Sequence, residues 1–325
     1  MKNFNKPRII VSKCIEFDPC RWNGAIIQSS FVKILKSYVQ FIPICPEFEI
    51  GLGIPRDPVR IVKENDNLKL IQSNTEKVLT KEMTEFTLKF LASINEIDGF
   101  ILKSKSPSCG LFQTKYYHSM LKGAAVLGRG PGLFGLSVLQ KLPELAIETE
   151  GRLNNFRIRE HWLTKIFLKA LFNTIKKSNS LHELVNFHTQ NKFIFMAYNQ
   201  IGLRDMGRIV ANLEKASFKE IINKYEIKLF EILSTLPKDT ANINVLMHAL
   251  GYFSKKLKPE EKAFFLEELE KYRSGWIPLF SINKLIKSWV IRFNQEYLME
   301  QRFFNPYPEE LMTFDLVETW RGRDF

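Results

Sequence analysis

The sequence is poor in cysteine and has no long apolar run, and these two features limit the class of protein. No stretch approaches the roughly 20 consecutive apolar residues that span a bilayer, and residues 1–7 contain no apolar signal segment. The four cysteines lack the close pairing of a disulfide framework. We therefore expect a cytoplasmic protein that binds no membrane, in which the cysteines bind a metal or pack in the core.

Common cofactor motifs are also missing. No Gly-x-Gly-x-x-Gly opens a helix after the first predicted strand, and no Walker-type Gly-Lys-Ser/Thr occurs, so an NTP or dinucleotide cofactor is not expected. The sequence has neither His-x-Glu nor Pro-Cys-x-x-Cys, which disfavours a zinc deaminase. The closely spaced cysteine pairs of structural zinc sites are absent as well. Nucleotide-dependent chemistry and zinc chemistry are therefore both disfavoured.

Positive charge exceeds negative charge throughout the chain. The 325 residues carry 47 Lys and Arg against 35 Asp and Glu, a formal net charge of +12. Residues 1–150 have 20 basic and 15 acidic side chains, and residues 151–325 have 27 and 20, so both halves are basic. An excess of this size favours a polyanionic partner such as nucleic acid.

The sequence divides into two regions with different secondary-structure patterns. Residues 1–150 alternate strand-like and helix-like segments, whereas long helical patterns such as His161–Lys177 dominate residues 151–325. We predict an α/β amino-terminal domain, residues 1–150, with a mainly parallel sheet, followed by an all-α helical domain, residues 151–325. Within the first region, helical periodicity is found at Ser29–Tyr38, Glu76–Ile94 and Tyr117–Gly128.

Three cysteines follow strand-like apolar runs. Cys14 follows residues 8–13, Cys45 follows residues 39–44, and Cys109 comes soon after residues 97–102. Open α/β sheets bind ligands beyond the carboxyl ends of their strands, so these cysteines are expected to converge there. Three thiolates would hold an iron–sulfur cluster and leave one iron free for substrate.

Other interpretations of the cysteines stay open. Taken alone, each of the three is more often a small buried hydrophobe than a ligand. Cys20 lies past the strand end, in Asp18-Pro19-Cys20-Arg21-Trp22, and we interpret it as a non-ligand.

The motifs around these cysteines resemble those of a known family. Ser12-Lys13-Cys14, Cys45-Pro46-Glu47 with Gly51-Leu52-Gly53-Ile54-Pro55-Arg56, and Ser106-Pro107-Ser108-Cys109-Gly110 together resemble the thiouracil desulfidase family, over most of residues 7–150. Arg21-Trp22-Asn23-Gly24 departs from the family's usual Arg-Tyr-Asp-Gly. Residues 151–325 resemble the YbgA-like domain often fused to this family, notably at 157–160, 185–188 and 244–253.

This resemblance implies a reaction and roles for particular residues. Cys14, Cys45 and Cys109 would bind a [4Fe–4S] cluster, whose open iron accepts the sulfur of a thiolated uracil without a change of oxidation state. Glu47 is expected to be the general base that activates water. Ser106 is expected to hydrogen-bond the reacting base or the intermediate. Ser108 is the alternative to Ser106, and Glu49 is a weaker acid–base candidate.

The implied substrate is 4-thiouridine in tRNA, with the helical domain as the RNA-binding part. Two basic groups could meet phosphate, although a solvated helix face is the default interpretation of both. They are Lys255, Lys256 and Lys258, and Lys284, Lys287 and Arg292. Two alternatives stay open: a desulfidase of free 2-thiouracil, and a non-catalytic RNA-binding protein with a structural metal site. His188 and His248, within apolar helical runs, are interpreted as satisfied core histidines.

Overall fold

The computed structural model describes residues 4–65, 67–121 and 123–312. The chain forms two compact units, one ending at Ala170 and the other beginning at Leu171. All strands of the described residues belong to the first unit, and the second is helical. The predicted order, an α/β region followed by a helical region, is confirmed. None of the helices formed by the described residues is both long and apolar enough to cross a membrane.

A four-stranded parallel sheet forms the centre of the first unit. Its strands are ordered β2-β1-β5-β8, and every pairing is parallel, which confirms the predicted mainly parallel sheet. The four strands are β1 Arg8–Ser12, β2 Gln40–Ile44, β5 Gly99–Leu102 and β8 Ala146–Thr149. Strand β2 contains Pro43, which cannot donate a ladder hydrogen bond and is tolerated because β2 is an edge strand. Because every pairing is parallel, the carboxyl ends of all four strands lie at the same end of the sheet.

A second, mixed sheet completes the unit. Its order is β4-β3-β6-β7, with antiparallel β3–β4 and β6–β7 pairs and a parallel β3–β6 pair. The strands are β3 Val59–Glu64, β4 Asn67–Gln72, β6 Thr114–Tyr117 and β7 Val126–Gly130. The helix predicted over Tyr117–Gly128 is wrong, because most of that segment is the β6–β7 connection and the start of β7.

The described residues before β8 form four α-helices: α1 Ser30–Leu35, α2 Pro46–Glu49, α3 Thr80–Ser93 and α4 Leu133–Lys141. Helices α1 and α3 confirm two of the predicted helical segments. A hydrophobic core joins the two sheets to α3 and α4, and side chains from each are fully buried in it, including Ile10, Ile61, Met83, Phe100 and Phe134. This core supports the strand ends that carry the cysteines.

The long helix α5, Phe156–Ser178, contains the division between the two units, and the described residues of the second unit form eight further α-helices. They are α6 Leu181–Tyr198, α7 Gln200–Ala211, α8 Phe218–Ile232, α9 Asp239–Gly251, α10 Pro259–Arg273, α11 Leu279–Arg292, α12 Glu296–Glu300 and α13 Glu309–Met312. Aromatic rings fill the core of the second unit, as in the Phe172–Tyr225 pair, whose centroids are 5.7 Å apart.

The two histidines differ. His188 Nδ1 lies 3.1 Å from the Tyr225 hydroxyl, and burial lowers its pKa to about 4, which confirms a satisfied, largely buried histidine. His248 is exposed on α9, so the same prediction is wrong for it. A residue at this position of an amphipathic helix can border the apolar face without entering the core.

Candidate active site at the cysteine cavity

All four cysteines line one cavity of about 380 Å³ in the first unit. Cys14 lies two residues beyond β1, Cys45 directly follows β2, and Cys109 lies in the segment after β5. Because β2, β1 and β5 are neighbours in the parallel sheet, their carboxyl ends bring these three cysteines together. The convergence expected from the sequence is present.

Local backbone structure fixes Cys45. It is the N-cap of the short helix α2, and its carbonyl oxygen accepts hydrogen bonds from Phe48 N and Glu49 N, both at 3.0 Å. Pro46 occupies the first helical position, where its missing N–H costs nothing and its fixed φ suits a helix start. The Cys45-Pro46-Glu47 motif thereby places a thiol and a carboxylate on the first turn of one helix.

The turn Ser106–Cys109 fixes the third cysteine. Ser106 Oγ accepts hydrogen bonds from Ser108 N at 3.2 Å and Cys109 N at 3.1 Å. Gly135, at the start of α4, packs so closely on this turn that a Cβ there would overlap the Gly110 carbonyl oxygen. Ser12 Oγ accepts from Lys103 N at 2.9 Å, and so connects the end of β1 to the segment that leads into this turn.

Cys20 also belongs to the cavity, and this residue is 1% exposed. Hydrogen bonding to the Cys14 thiol raises the pKa of Cys20 to about 11, partly opposed by its hydrogen bond with Cys45. The bond to Cys20, together with burial, raises the pKa of Cys45 above its usual range. Burial also raises the pKa of Cys109 above its usual range. A raised pKa favours the protonated thiol, so binding a metal would release protons from these cysteines.

Glu47 is held by two partners on either side of its carboxylate. Arg56 donates to Glu47 Oε2 from Nη2 at 2.7 Å and from Nε at 2.9 Å, and Ser108 Oγ donates to Oε1 at 2.9 Å. The guanidinium also donates to the Cys20 carbonyl at 3.0 Å. Both charged side chains are nearly buried, 5% exposed for Arg56 and 13% for Glu47. The carboxylate that lines the cavity is therefore fixed in position.

The other sequence candidates occupy different places. Ser106 lines the cavity, whereas Ser108 is fully buried and hydrogen-bonded to Glu47. Glu49 is exposed and does not line the cavity. Lys103, which does, pairs with Glu150 at 2.6 Å, and Glu150 also accepts from Ser104 N at 2.7 Å. This pairing ties the end of β8 to the segment after β5.

The donor set fits an iron–sulfur cluster. Among the described residues, no three His, Cys, Asp or Glu side chains are arranged around one metal ion. A cluster binds each thiolate through a different iron, so its ligands need only line one cavity, as these cysteines do. Thiolates are soft donors suited to iron. Cys14, Cys45 and Cys109 therefore remain the proposed ligands, with Cys20 as an additional thiol beside them.

The two basic groups of the second unit have different surroundings. Lys255, Lys256 and Lys258 are exposed and have no ion pair within the described part of the chain. In the second group, Lys284 and Lys287 both pair with Glu309, and Arg292 pairs with Glu261 at 2.7 Å. Only the first group is free of ion pairs within the described residues.

Sequence reasoning missed two residues that matter here. Arg56 ends the motif at residues 51–56, but its pairing with Glu47 depends on the turn between the two residues. Trp22 lines the cavity and is 45% exposed, so its ring offers an apolar surface to a planar ligand. The available sequence signal was a tryptophan two residues after Cys20.

Comparison with known proteins identifies both parts of the chain. Residues 9–150 match the family model described as 2-thiouracil desulfurase, and residues 192–308 match DUF1722, a family of unknown function. The uncharacterized protein YbbK of Bacillus subtilis is 32% identical over 130 residues, which cover 38% of this chain and 84% of that protein. The uncharacterized protein YbgA of Escherichia coli is 26% identical over 158 residues, 48% of this chain and 94% of that protein.

A solved structure of the [4Fe-4S]-dependent thiouracil desulfidase TudS is also similar, at 25% identity and a TM-score of 0.36, over 46% of this chain and 94% of that one. The family models and the YbbK match confirm the resemblance found in the sequence. The chain belongs to the 2-thiouracil desulfurase family through residues 9–150, and it carries a YbgA-like DUF1722 domain at residues 192–308.

Proposed function

We propose that the protein is an iron–sulfur-dependent desulfidase that converts 4-thiouridine in tRNA to uridine and releases sulfide. The observation that carries this proposal is the convergence of Cys14, Cys45 and Cys109 in one cavity with the fixed carboxylate of Glu47. The three cysteines would hold a [4Fe–4S] cluster. With three thiolate ligands, such a cluster supplies one open iron, a soft Lewis acid for a thiocarbonyl sulfur.

The reaction is a hydrolysis and needs no electrons. The oxygen of water bonds to the thiocarbonyl carbon, the C–S bond breaks, and two protons leave with the sulfur as hydrogen sulfide. Glu47 takes a proton from the attacking water and passes it to the departing sulfur. Arg56 and Ser108 hold the Glu47 carboxylate at the cavity wall throughout.

Ser106 and Trp22 orient the base. The Ser106 oxygen already accepts two backbone N–H groups, so its hydroxyl hydrogen is the part that serves the substrate, as a donor to an acceptor atom of the base or of the tetrahedral intermediate. The exposed ring of Trp22 offers a face for stacking the pyrimidine. In the second unit, Lys255, Lys256 and Lys258 bind tRNA phosphates.

Free 2-thiouracil is the second candidate substrate, favoured by the description of the family that residues 9–150 match. A single base carries no phosphate and would use only the cysteine cavity. Measuring kcat/KM on 4-thiouridine tRNA and on free 2-thiouracil separates the two candidates. The proposed enzyme should have the higher kcat/KM on tRNA. A higher kcat/KM on the free base would select the second candidate.

The metal content of anaerobically purified protein tests the cofactor. We expect about four irons and matching acid-labile sulfide per chain. Both should be absent from Cys14→Ser, Cys45→Ser and Cys109→Ser. Cys20→Ser, the matched control from the same cavity, should retain them. Glu47→Gln should keep the iron and lose about 10²–10⁴-fold in desulfuration, because it removes the general base. Stoichiometric zinc without labile sulfide would refute the cluster, and near-normal turnover of Glu47→Gln would exclude Glu47 as the base.

A further inference from the structure

A second cavity, of about 510 Å³, adjoins the cysteine cavity. The two share the walls formed by Pro58, Val59, Lys105 and Pro107. The rest of the second cavity is built on strands β3, β6 and β7 of the mixed sheet. We call it the basic groove, after the side chains that dominate it: Arg60, Lys105, Lys115 and Arg129.

The charge of the basic groove is positive and uncompensated. No Asp or Glu is among the residues that line it, and the described residues form no ion pair with its four cations. The two guanidinium groups have neutral partners instead: Arg60 lies over the Tyr117 ring at 5.0 Å, and Arg129 Nη1 donates to Gln113 Oε1 at 3.2 Å. Such partners orient a guanidinium without neutralising it, which leaves both groups able to bind an anion.

Strand register adds an independent observation. Lys115 on β6 lies directly opposite Arg129 on the antiparallel strand β7, so both side chains are on the same face of the sheet. Like charges directly opposite one another destabilise a sheet. Local conflicts of this kind occur at functional sites, so a like-charge pair beside a candidate active site is expected to have a functional role. A bound anion would remove the repulsion.

We propose that the basic groove binds phosphate groups of the RNA strand that carries the thiolated nucleotide, while the thiolated base occupies the cysteine cavity. The inference rests on the proposed function for the chemistry at the base. It names the substrate class as a nucleotide within an RNA strand, because a free base has no group for the groove. It also assigns phosphate binding to the catalytic unit itself, in addition to that of Lys255, Lys256 and Lys258.

The test uses Lys115→Thr and Arg129→Thr in the full-length protein, with threonine chosen because it suits a strand. The matched controls are Lys89→Gln and Lys141→Gln, which remove the same charge from α3 and α4 and line neither cavity. Binding of a fluorescent oligo-uridylate is measured between about 50 and 200 mM salt. Melting temperature and kcat/KM on free 2-thiouracil and on 4-thiouridine tRNA are measured alongside.

Each groove variant should bind the oligo-uridylate about tenfold more weakly, with a salt slope reduced by about 0.7. Its melting temperature should stay the same or rise, since the repulsive pair is gone, and kcat/KM should fall on tRNA but not on free 2-thiouracil. Unchanged binding and slope would overturn the proposal, as would an equal loss in the control variants or on the free base. If wild type desulfurates neither substrate while the groove variants still lose binding, the proposed function fails and the groove assignment stands.

Discussion

The pairing of Arg56 with Glu47 predicts a strong energetic coupling between two residues that the sequence separates by a turn. In Arg56→Met, the Glu47 carboxylate stays nearly buried without its cation. Removing one partner of a buried ion pair costs about 3–5 kcal/mol. In Glu47→Gln, the amide oxygen still accepts from Arg56, so the cost should be about 1–3 kcal/mol. The double variant holds no unpaired carboxylate and should lose less than the sum.

The expected coupling energy is at least about 1 kcal/mol. Loss of the Arg56 hydrogen bonds to the Cys20 and Gly53 carbonyls occurs in both the single and the double variant, so it cancels in the cycle. What remains is the interaction with Glu47. This coupling is the energetic counterpart of the fixed carboxylate on which the proposed base chemistry depends.

Urea unfolding of the reduced, metal-free full-length chain measures the free energies, with 5-fluorotryptophan NMR as the probe. Trp162 reports on the first unit, because it is 1% exposed and its indole N–H donates to the Ala146 carbonyl at 2.9 Å. Additive losses within about 0.5 kcal/mol would refute the reasoning. Arg56→Lys is the companion variant: it keeps the charge, loses the fork geometry, and should recover only part of the stability.

Two further predictions concern the second unit. The double variant Lys255→Glu, Lys256→Glu should bind tRNA more weakly, and the salt slope of binding should fall by about 0.7–0.9 for each phosphate that is no longer bound. Its turnover of free 2-thiouracil should be unchanged. Unchanged tRNA binding would assign these lysines to a solvated helix face. Because burial lowers the pKa of His188 to about 4, the unfolded chain binds a proton there that the folded chain does not, and the contribution of His188 to the free energy of unfolding should fall by about 3 kcal/mol between pH 6.5 and 4. In urea titrations across that range, His188→Gln should show a flatter pH dependence, and an identical slope would contradict the assignment.

The cysteine positions could be predicted from the sequence because they depend on one regular feature. A residue that follows a strand of a parallel sheet lies at its carboxyl edge whatever the order of the strands. Cys14, Cys45 and Cys109 meet this condition, and helices α3 and α5 were found for a similar reason, since their periodicity is local.

The β6–β7 segment and the basic groove could not be predicted, because they depend on strand register and on packing between distant segments. Leu121, Ala124 and Leu127 favour a helix locally, yet pairing of β6 with β3 and β7 overrides that propensity. The basic groove needs the order β3-β6-β7 and the alignment of Lys115 with Arg129, and neither is written in the local sequence.

The pairing of Glu150 with Lys103 and Ser104 has a consequence for how the protein matures during synthesis. The segment that leads from β5 to Cys109 acquires these partners only when the chain has been made as far as residue 150 and β8 has joined the sheet. Cys14 and Cys45, by contrast, leave the ribosome early. The segment that carries Cys109 therefore gains its last supports when the first unit is nearly complete, so the proposed cluster would be assembled on a folded protein rather than on a nascent chain.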